Sequence, residues 1–230
     1  VGGGIFVRGT ATILGSTISG NTTDGDGGGL YKRGSPDLFD HGTTATIQNS
    51  AIAGNSAGGV GGALVSQRPV LLANSAIAEN DSGAGGAVMF HYSYQLGYSA
   101  TLWLDLESAI IAGNSAGPSP MYAVDLASDS MLTATGANSL VMDAAAGIAL
   151  PPDTLRSDPL LLPLAWNGGP MQTLALSPGS PAIDASANPL GLDTDQRGGA
   201  YRRVYGIAAD IGAFEWQPPP DPIFANGFEP

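Results

Sequence analysis

The chain of 230 residues contains no cysteine, so disulfide staples are excluded and cysteine usage points to no compartment. Basic residues are scarce: Lys and Arg total 8 against 20 Asp and Glu, for a net charge of −12. Binding to nucleic acid or anionic lipid relies on Lys and Arg, so the balance argues against both partners. Acidic polysaccharides are disfavoured on the same ground unless calcium bridges them. No run of 18 apolar residues occurs, so no membrane-spanning helix is expected. An initiator Met and a signal peptide are absent, and Val1 opens directly on a Gly-Gly-apolar element. We therefore expect upstream coils and an export signal beyond this sequence.

What is present is repetition. Gly 34 and Pro 17 make the chain turn-rich, while 43% apolar residues argue against disorder. An Ile-x-x-Asn element ends at Asn21, Asn55, Asn80 and Asn114, and Asn138 continues the series. A Gly-Gly-apolar element recurs at Gly3-Gly4-Ile5, Gly28-Gly29-Leu30, Gly61-Gly62-Ala63 and Gly85-Gly86-Ala87. The asparagines step by 34, 25, 34 and 24 residues, so the basic period is 24 to 25. Two turns carry insertions of about nine residues, near Ser35 to Gly42 and near His91 to Ser99.

Each period holds three short apolar runs, such as Ala63-Leu64-Val65, Val70-Leu71-Leu72 and Ala76-Ile77. Such runs are too short for helices and rich in β-branched residues. The Leu-x-x-Leu-x-Leu frame of a leucine-rich repeat is missing. Three strands per coil of about 24 residues fit an all-β chain folded as a right-handed parallel β-helix. Glycine would supply positive φ at the turns. Asn21, Asn55, Asn80, Asn114 and Asn138 would stack amide on amide, beyond serving as turn formers.

We divide the chain into coils over 1–150, a C-terminal capping region over 151–217, and a Pro-rich spacer with a sorting tail over 218–230. Beyond Asp158 the repeat gives way to short segments punctuated by Pro and Gly. They include Asn167-Gly168-Gly169-Pro170, Leu176 to Ala185, Asp195 to Gly198 and Asp210 to Glu215. A solenoid needs a terminal cover for its open core, so a cap is the expected role. In these motifs the region resembles the choice-of-anchor Q family of bacterial β-helix surface proteins. The upstream repeats are similar to those of polymorphic outer-membrane proteins, and the fold is pectin-lyase-like in outline. The resemblance implies an exported bacterial protein, extracellular or at the cell surface, and implies no enzymatic activity.

Candidate sites are few. The second insertion carries Tyr92, Tyr94 and Tyr98, with Trp103 close behind, and such aromatics stack on sugar rings or anchor protein partners. Asp184, Asp195, Arg197, Arg203 and Asp210 concentrate charge in the terminal region. We read them as a structural network with Arg197 or Arg203 bridging Asp184 or Asp210. Asp24-Gly25-Asp26-Gly27 has the look of a calcium loop but lacks the glutamate an EF-hand needs. No cofactor is called for, and calcium is the one cation kept open. No catalytic residue is assigned. The polygalacturonase signatures Asn-Thr-Asp, Asp-Asp, Gly-His-Gly and Arg-Ile-Lys are missing, and no clustered acids stand beside Arg8, Arg33 or Arg68. The expected function is a non-enzymatic adhesion or surface-structure module whose partner is carbohydrate or a surface protein of a host or neighbour cell. A polysaccharide lyase or glycoside hydrolase is the alternative.

Overall fold

The structure, a computed structural model, describes residues 2–34, 43–91, 102–117 and 124–217. Among these residues it is all-β, with nineteen short strands, β1 to β19 in chain order, in four parallel sheets. The first sheet stacks β1 (Ile5–Val7), β5 (Leu30–Lys32), β9 (Leu64–Ser66), β13 (Val88–Phe90) and β17 (Leu126–Ser128). The second stacks β2 (Ala11–Leu14), β6 (Ala45–Gln48), β10 (Val70–Ala73), β14 (Leu102–Glu107) and β18 (Leu132–Ala137). The third stacks β3 (Thr17–Ser19), β7 (Ala51–Ala53), β11 (Ala76–Ala78), β15 (Ile110–Ile111) and β19 (Leu140–Val141). Successive coils therefore lie one above another, the arrangement of a parallel β-helix or solenoid.

The sequence reading expected three strands per coil. The first four coils carry a fourth, built by β4 (Thr22–Thr23), β8 (Ser56–Ala57), β12 (Asp81–Ser82) and β16 (Ser115–Ala116). Two polar or small residues give no apolar run, so these strands leave no hydropathy signal. They exist because the coil above and the coil below supply ladder partners. Beside them the backbones approach so closely that a Cβ on Gly83 would run into the carbonyl oxygen of Gly58.

Alternation along each strand divides inside from outside. In the third sheet Ile18, Ile52, Ile77, Ile111 and Val141 stand in register and fill the interior. In the second sheet Ile47, Leu72 and Leu106 do the same. Each fully buried aliphatic side chain stabilises the coil by about 2 kcal/mol relative to exposure.

Residues 151–217, expected as an end cap, meet the end of the third sheet where Leu155 bridges Leu140 in parallel. The open end of the core is closed earlier: Ala144 bridges Leu126, and Ile148 and Leu150 pack on the interior cluster. Residues beyond Leu155 run along the outside of the third sheet. There Ala51, Ala53, Ala76, Ala78, Ile110, Ala112 and Leu140 form one buried cluster with Leu174, Leu176, Ala182, Ile211 and Phe214. Alanine makes this sheet face flat enough for close packing. Gly212 donates its N–H to Ser108 O at 2.9 Å while lying against the Ile110 side chain, at a φ of 101 that favours glycine. The cover reaches back to the first coil, where Thr17 Oγ1 donates to Gln172 O at 2.7 Å and Gln196 Nε2 donates to Thr17 Oγ1 at 2.9 Å.

No helix among the described residues is long and apolar enough to cross a membrane.

Candidate functional site

Four of the five expected asparagines form one ladder. Asn21 donates to Asn55 Oδ1 through its backbone N at 3.1 Å and Nδ2 at 2.9 Å. Asn55 does the same to Asn80, at 3.1 and 2.9 Å, and Asn80 to Asn114, at 3.1 and 3.0 Å. Asn55 and Asn80 are buried, so each bond prevents the desolvation cost of an orphaned amide, about 1–3 kcal/mol. The left-handed position in this turn belongs to the preceding residue: Gly20, Gly54, Glu79 and Gly113 all have positive φ.

Asn138 does not continue the ladder. It lies in the column of Gly15, Asn49, Asn74 and Ser108, the left-handed corner between the second and third sheets. The 24-residue step from Asn114 matched the repeat, but register pairs Ile111 with Val141, three residues beyond Asn138. A true turn former and a stacked amide thus share one residue type, which spacing alone does not separate. After that corner a second column goes unnoticed in the sequence: Ser16 N donates to Ser50 Oγ, and Ser50 N to Ser75 Oγ, both at 3.1 Å.

In the covering segment, the expected charge network exists with different partners. Arg197 pairs with Asp195, its Nε and Nη2 reaching Oδ2 at 2.9 and 2.6 Å. Its guanidinium lies between the Tyr201 and Phe214 rings, 3.9 and 3.8 Å from their centroids. The expected bridge from Arg197 or Arg203 to Asp184 or Asp210 is replaced by backbone contacts. Arg203, fully buried, donates through Nη2 to the carbonyl of Asp210. With the Asn74 amide oxygen turned toward it, Arg203 also donates at 3.2 Å from Nε and 2.8 Å from Nη2, tying the cover to the third coil.

The carboxylates here hold backbone. Asp184 accepts from Ile207 N and Ala208 N, and Asp210 from Asp184 N. Glu215 accepts from Tyr205 N at 2.8 Å and Asp210 N at 2.9 Å. Burial pushes the Glu215 carboxyl up to about 7 and raises Asp210 as well, while it lowers Arg203. The motif Asn167-Gly168-Gly169-Pro170 makes the turn between the bridged residues Ala165 and Thr173, and Asn167 Nδ2 donates to Thr173 O at 2.8 Å. The residues that carry the family resemblance are therefore occupied with architecture.

The outer face of the second sheet is different. Along β14 the buried residues Leu102, Leu104 and Leu106 alternate with the outward residues Trp103, Asp105 and Glu107. Register carries Asp105 beside Leu71 and Thr135, and Trp103 beside Thr133. Thr44, Thr46, Leu71, Trp103, Thr133 and Thr135 line a shallow trough of about 470 Å³, with Asp105 at its wall. Trp103 remains 56% exposed, costly for the largest apolar side chain on this face. Asp105 Oδ1 accepts from Thr135 Oγ1 at 3.1 Å. The Glu107 carboxyl is raised, first by partial burial and then by Asp105 and Asp153 nearby. The sequence signal for Trp103 was its aromatic character. Asp105 and Glu107 carried none, since acids in a strand read as solvated positions.

Tyr92, Tyr94 and Tyr98 lie outside the described residues, as do Ser35 to Gly42 and the tail from Pro218. Among the described residues no group of three or more His, Cys, Asp or Glu converges as a metal shell would. In the Asp24-Gly25-Asp26-Gly27 turn, Asp26 Oδ1 accepts from Val60 N at 3.0 Å, a coil-stacking contact. At the end of β13, His91 Nδ1 contacts Asp129 on the neighbouring coil, which raises the imidazole pKa. No family model, curated protein or solved structure matches the chain.

Proposed function

We propose that this chain is a non-enzymatic recognition module of an exported, surface-displayed bacterial protein. It is a right-handed parallel β-helix that lays a saccharide chain across the outer face of its second sheet. Right-handed crossovers are the rule for parallel strands joined within one sheet, and the terminal motifs resemble those of choice-of-anchor Q surface proteins. The trough around Trp103 carries the functional reading. The third sheet is sheltered by the chain's own terminal segment, whereas the second leaves an indole exposed on a flat, threonine-lined face. Sugar rings stack on such a surface through their C–H faces, and the threonine hydroxyls meet their equatorial hydroxyls. Coils about 4.8 Å apart offer successive contacts along an extended polymer.

A glycan array on wild type and Trp103→Ala tests this reading. Trp103 points away from the interior, so its removal leaves the coil packed. Retention of a glycan by wild type, weakened tenfold or more in the variant, supports it. A wild type that retains no glycan sinks it. A triple Tyr92, Tyr94 and Tyr98 to Ala variant asks whether the adjoining insertion extends the same surface.

Glycoside hydrolysis is the second reading, favoured by Asp105 and Glu107 on one face of one strand. Two residues along a strand span about 6.6 Å, close to the carboxylate separation of inverting glycosidases. Release of reducing ends from any glycan, abolished in Asp105→Asn and Glu107→Gln, would establish it.

A further inference from the structure

We propose that the glycan accepted by the trough bears free amines: a glucosamine-type polysaccharide, preferred over N-acetylated and uronate-bearing chains. The inference rests on the glycan-binding reading above and goes further by naming the chemistry of the chain. Trp103, Asp105 and Glu107 follow one another outward along β14, so a polymer stacked on the indole runs next over two carboxylates.

Among the described residues, no register partner offsets that charge. The register partners of Asp105 are Leu71 and Thr135, and those of Glu107 are Ala73 and Ala137, all uncharged. Among the described residues lining the trough, none is basic. Asp153 adds a further negative charge close enough to be felt at Glu107. Among the described residues, the hydrogen bond made to Asp105 comes from the hydroxyl of Thr135 and falls on Oδ1.

This field sorts saccharides. A uronate chain brings its own carboxylates against Asp105 and Glu107 and is repelled. A neutral chain gains stacking and hydroxyl contacts alone. A protonated amine donates a charge-assisted hydrogen bond to each carboxylate it meets, and such bonds are roughly twice as strong as neutral ones. A divalent metal is the other cation to weigh. The acids are strung along a strand and form no convergent group of three, so they suit successive single charges better than one coordinated ion.

The test compares oligomers of glucosamine, N-acetylglucosamine and galacturonate, equal in length, by titration calorimetry at pH 6 with chelator present. The proteins are wild type, Trp103→Ala, the double variant Asp105→Asn with Glu107→Gln, and a charge-matched control. The control, Asp24→Asn with Asp193→Asn, removes two exposed carboxylates elsewhere.

Wild type should bind the glucosamine oligomer at least tenfold more tightly than the N-acetylated one and should not bind galacturonate. That preference should shrink as salt rises. The Asp105 and Glu107 double variant should bring glucosamine down to the N-acetylated level and leave the latter unchanged, and the control should behave as wild type. Equal binding of the two amino-sugar oligomers, or equal losses in the double variant and the control, would overturn the amine preference. If Trp103→Ala still weakens both oligomers in that case, the glycan-binding reading stands. If no oligomer binds, or Trp103→Ala changes nothing, that reading falls and the inference falls with it.

Discussion

Asn114 Nδ2 donates to Asp125 Oδ1 at 2.8 Å, and Asp125 brings the amide ladder to a stop. Asn55, Asn80 and Asn114 each accept from one coil and donate to the next. Asp125 only accepts: Oδ1 takes both Asn114 donors, and Oδ2 takes Asp143 N at 3.1 Å. A column of one-way donors requires an acceptor at its last rung, and a buried carboxylate provides two.

Asp125→Asn should therefore destabilise the fold. An amide keeps one oxygen for Asn114 and turns an N–H₂ toward Asp143 N, donor against donor, in a site 1% exposed. The expected cost is about 1–3 kcal/mol, or roughly 2–12 °C in Tm for a chain of this size. An unchanged melting curve by circular dichroism would show that the ladder needs only one acceptor at its end.

Arg197→Lys tests the covering segment. Lysine keeps the charge but loses the fork to Asp195 and the planar fit between Tyr201 and Phe214. Because this breaks a buried, stacked pair, it should cost about 3 kcal/mol. The variant should show a lower urea midpoint and faster proteolysis within 151–217. Stability equal to wild type would mean that charge alone holds this joint.

Stability should fall as pH rises from about 5 to 8. The native state holds Glu215 protonated up to about 7, whereas the unfolded chain releases that proton near an ordinary glutamate value of about 4.3. The associated stability is complete below the unfolded value and is lost as pH climbs through the folded one, a difference on the order of 3 kcal/mol. Asp210 and Asp125 are raised too, so they act in the same direction. His91 also agrees in sign, because its pairing with Asp129 is strongest below the unfolded imidazole value and fades above it. Thermal melts across this range should slope downward in wild type and less steeply in Glu215→Gln. A flat wild-type profile would mean that Glu215 is ionised in the native state, with Arg203 balancing it.

Glu79→Gly should stabilise the third coil. Glu79 sits at φ 60 where the equivalent positions hold Gly20, Gly54 and Gly113. Relief of a left-handed side chain contributes about 1 kcal/mol, against one long, exposed contact from Leu164 N at 3.3 Å. A rise of about 2–4 °C in Tm is expected. A fall would show that the Leu164 contact anchors the cover more firmly than its geometry indicates.

Much of the coil was legible because its causes repeat. Ile52 and Ile77 face the same interior, and Asn55 and Asn80 occupy the same turn, so each coil restates one local rule and periodicity exposes it. Asn138 misled because its step length fits the period while its place in the register differs. The fourth strand escaped because Ser56-Ala57 and Asp81-Ser82 are ordered by their neighbours in the stack, with no pattern of their own. Glu107 and Asp105 escaped because nothing local marks an outward acid on an open sheet from one on a covered sheet.

The sequence by itself determined the period, the parallel stacking, the apolar interior and the polar turn columns, since each follows from short-range chemistry repeated coil after coil. Tertiary structure alone decided which outer face the terminal segment covers. That choice depends on contacts such as Thr17 with Gln172, 155 residues apart. An alanine-rich wall admits the terminal segment at van der Waals distance, whereas among the described residues Trp103 stays 56% exposed on the second sheet. Two faces of similar local character are thereby treated differently, one becoming a packed joint while the other keeps an exposed indole.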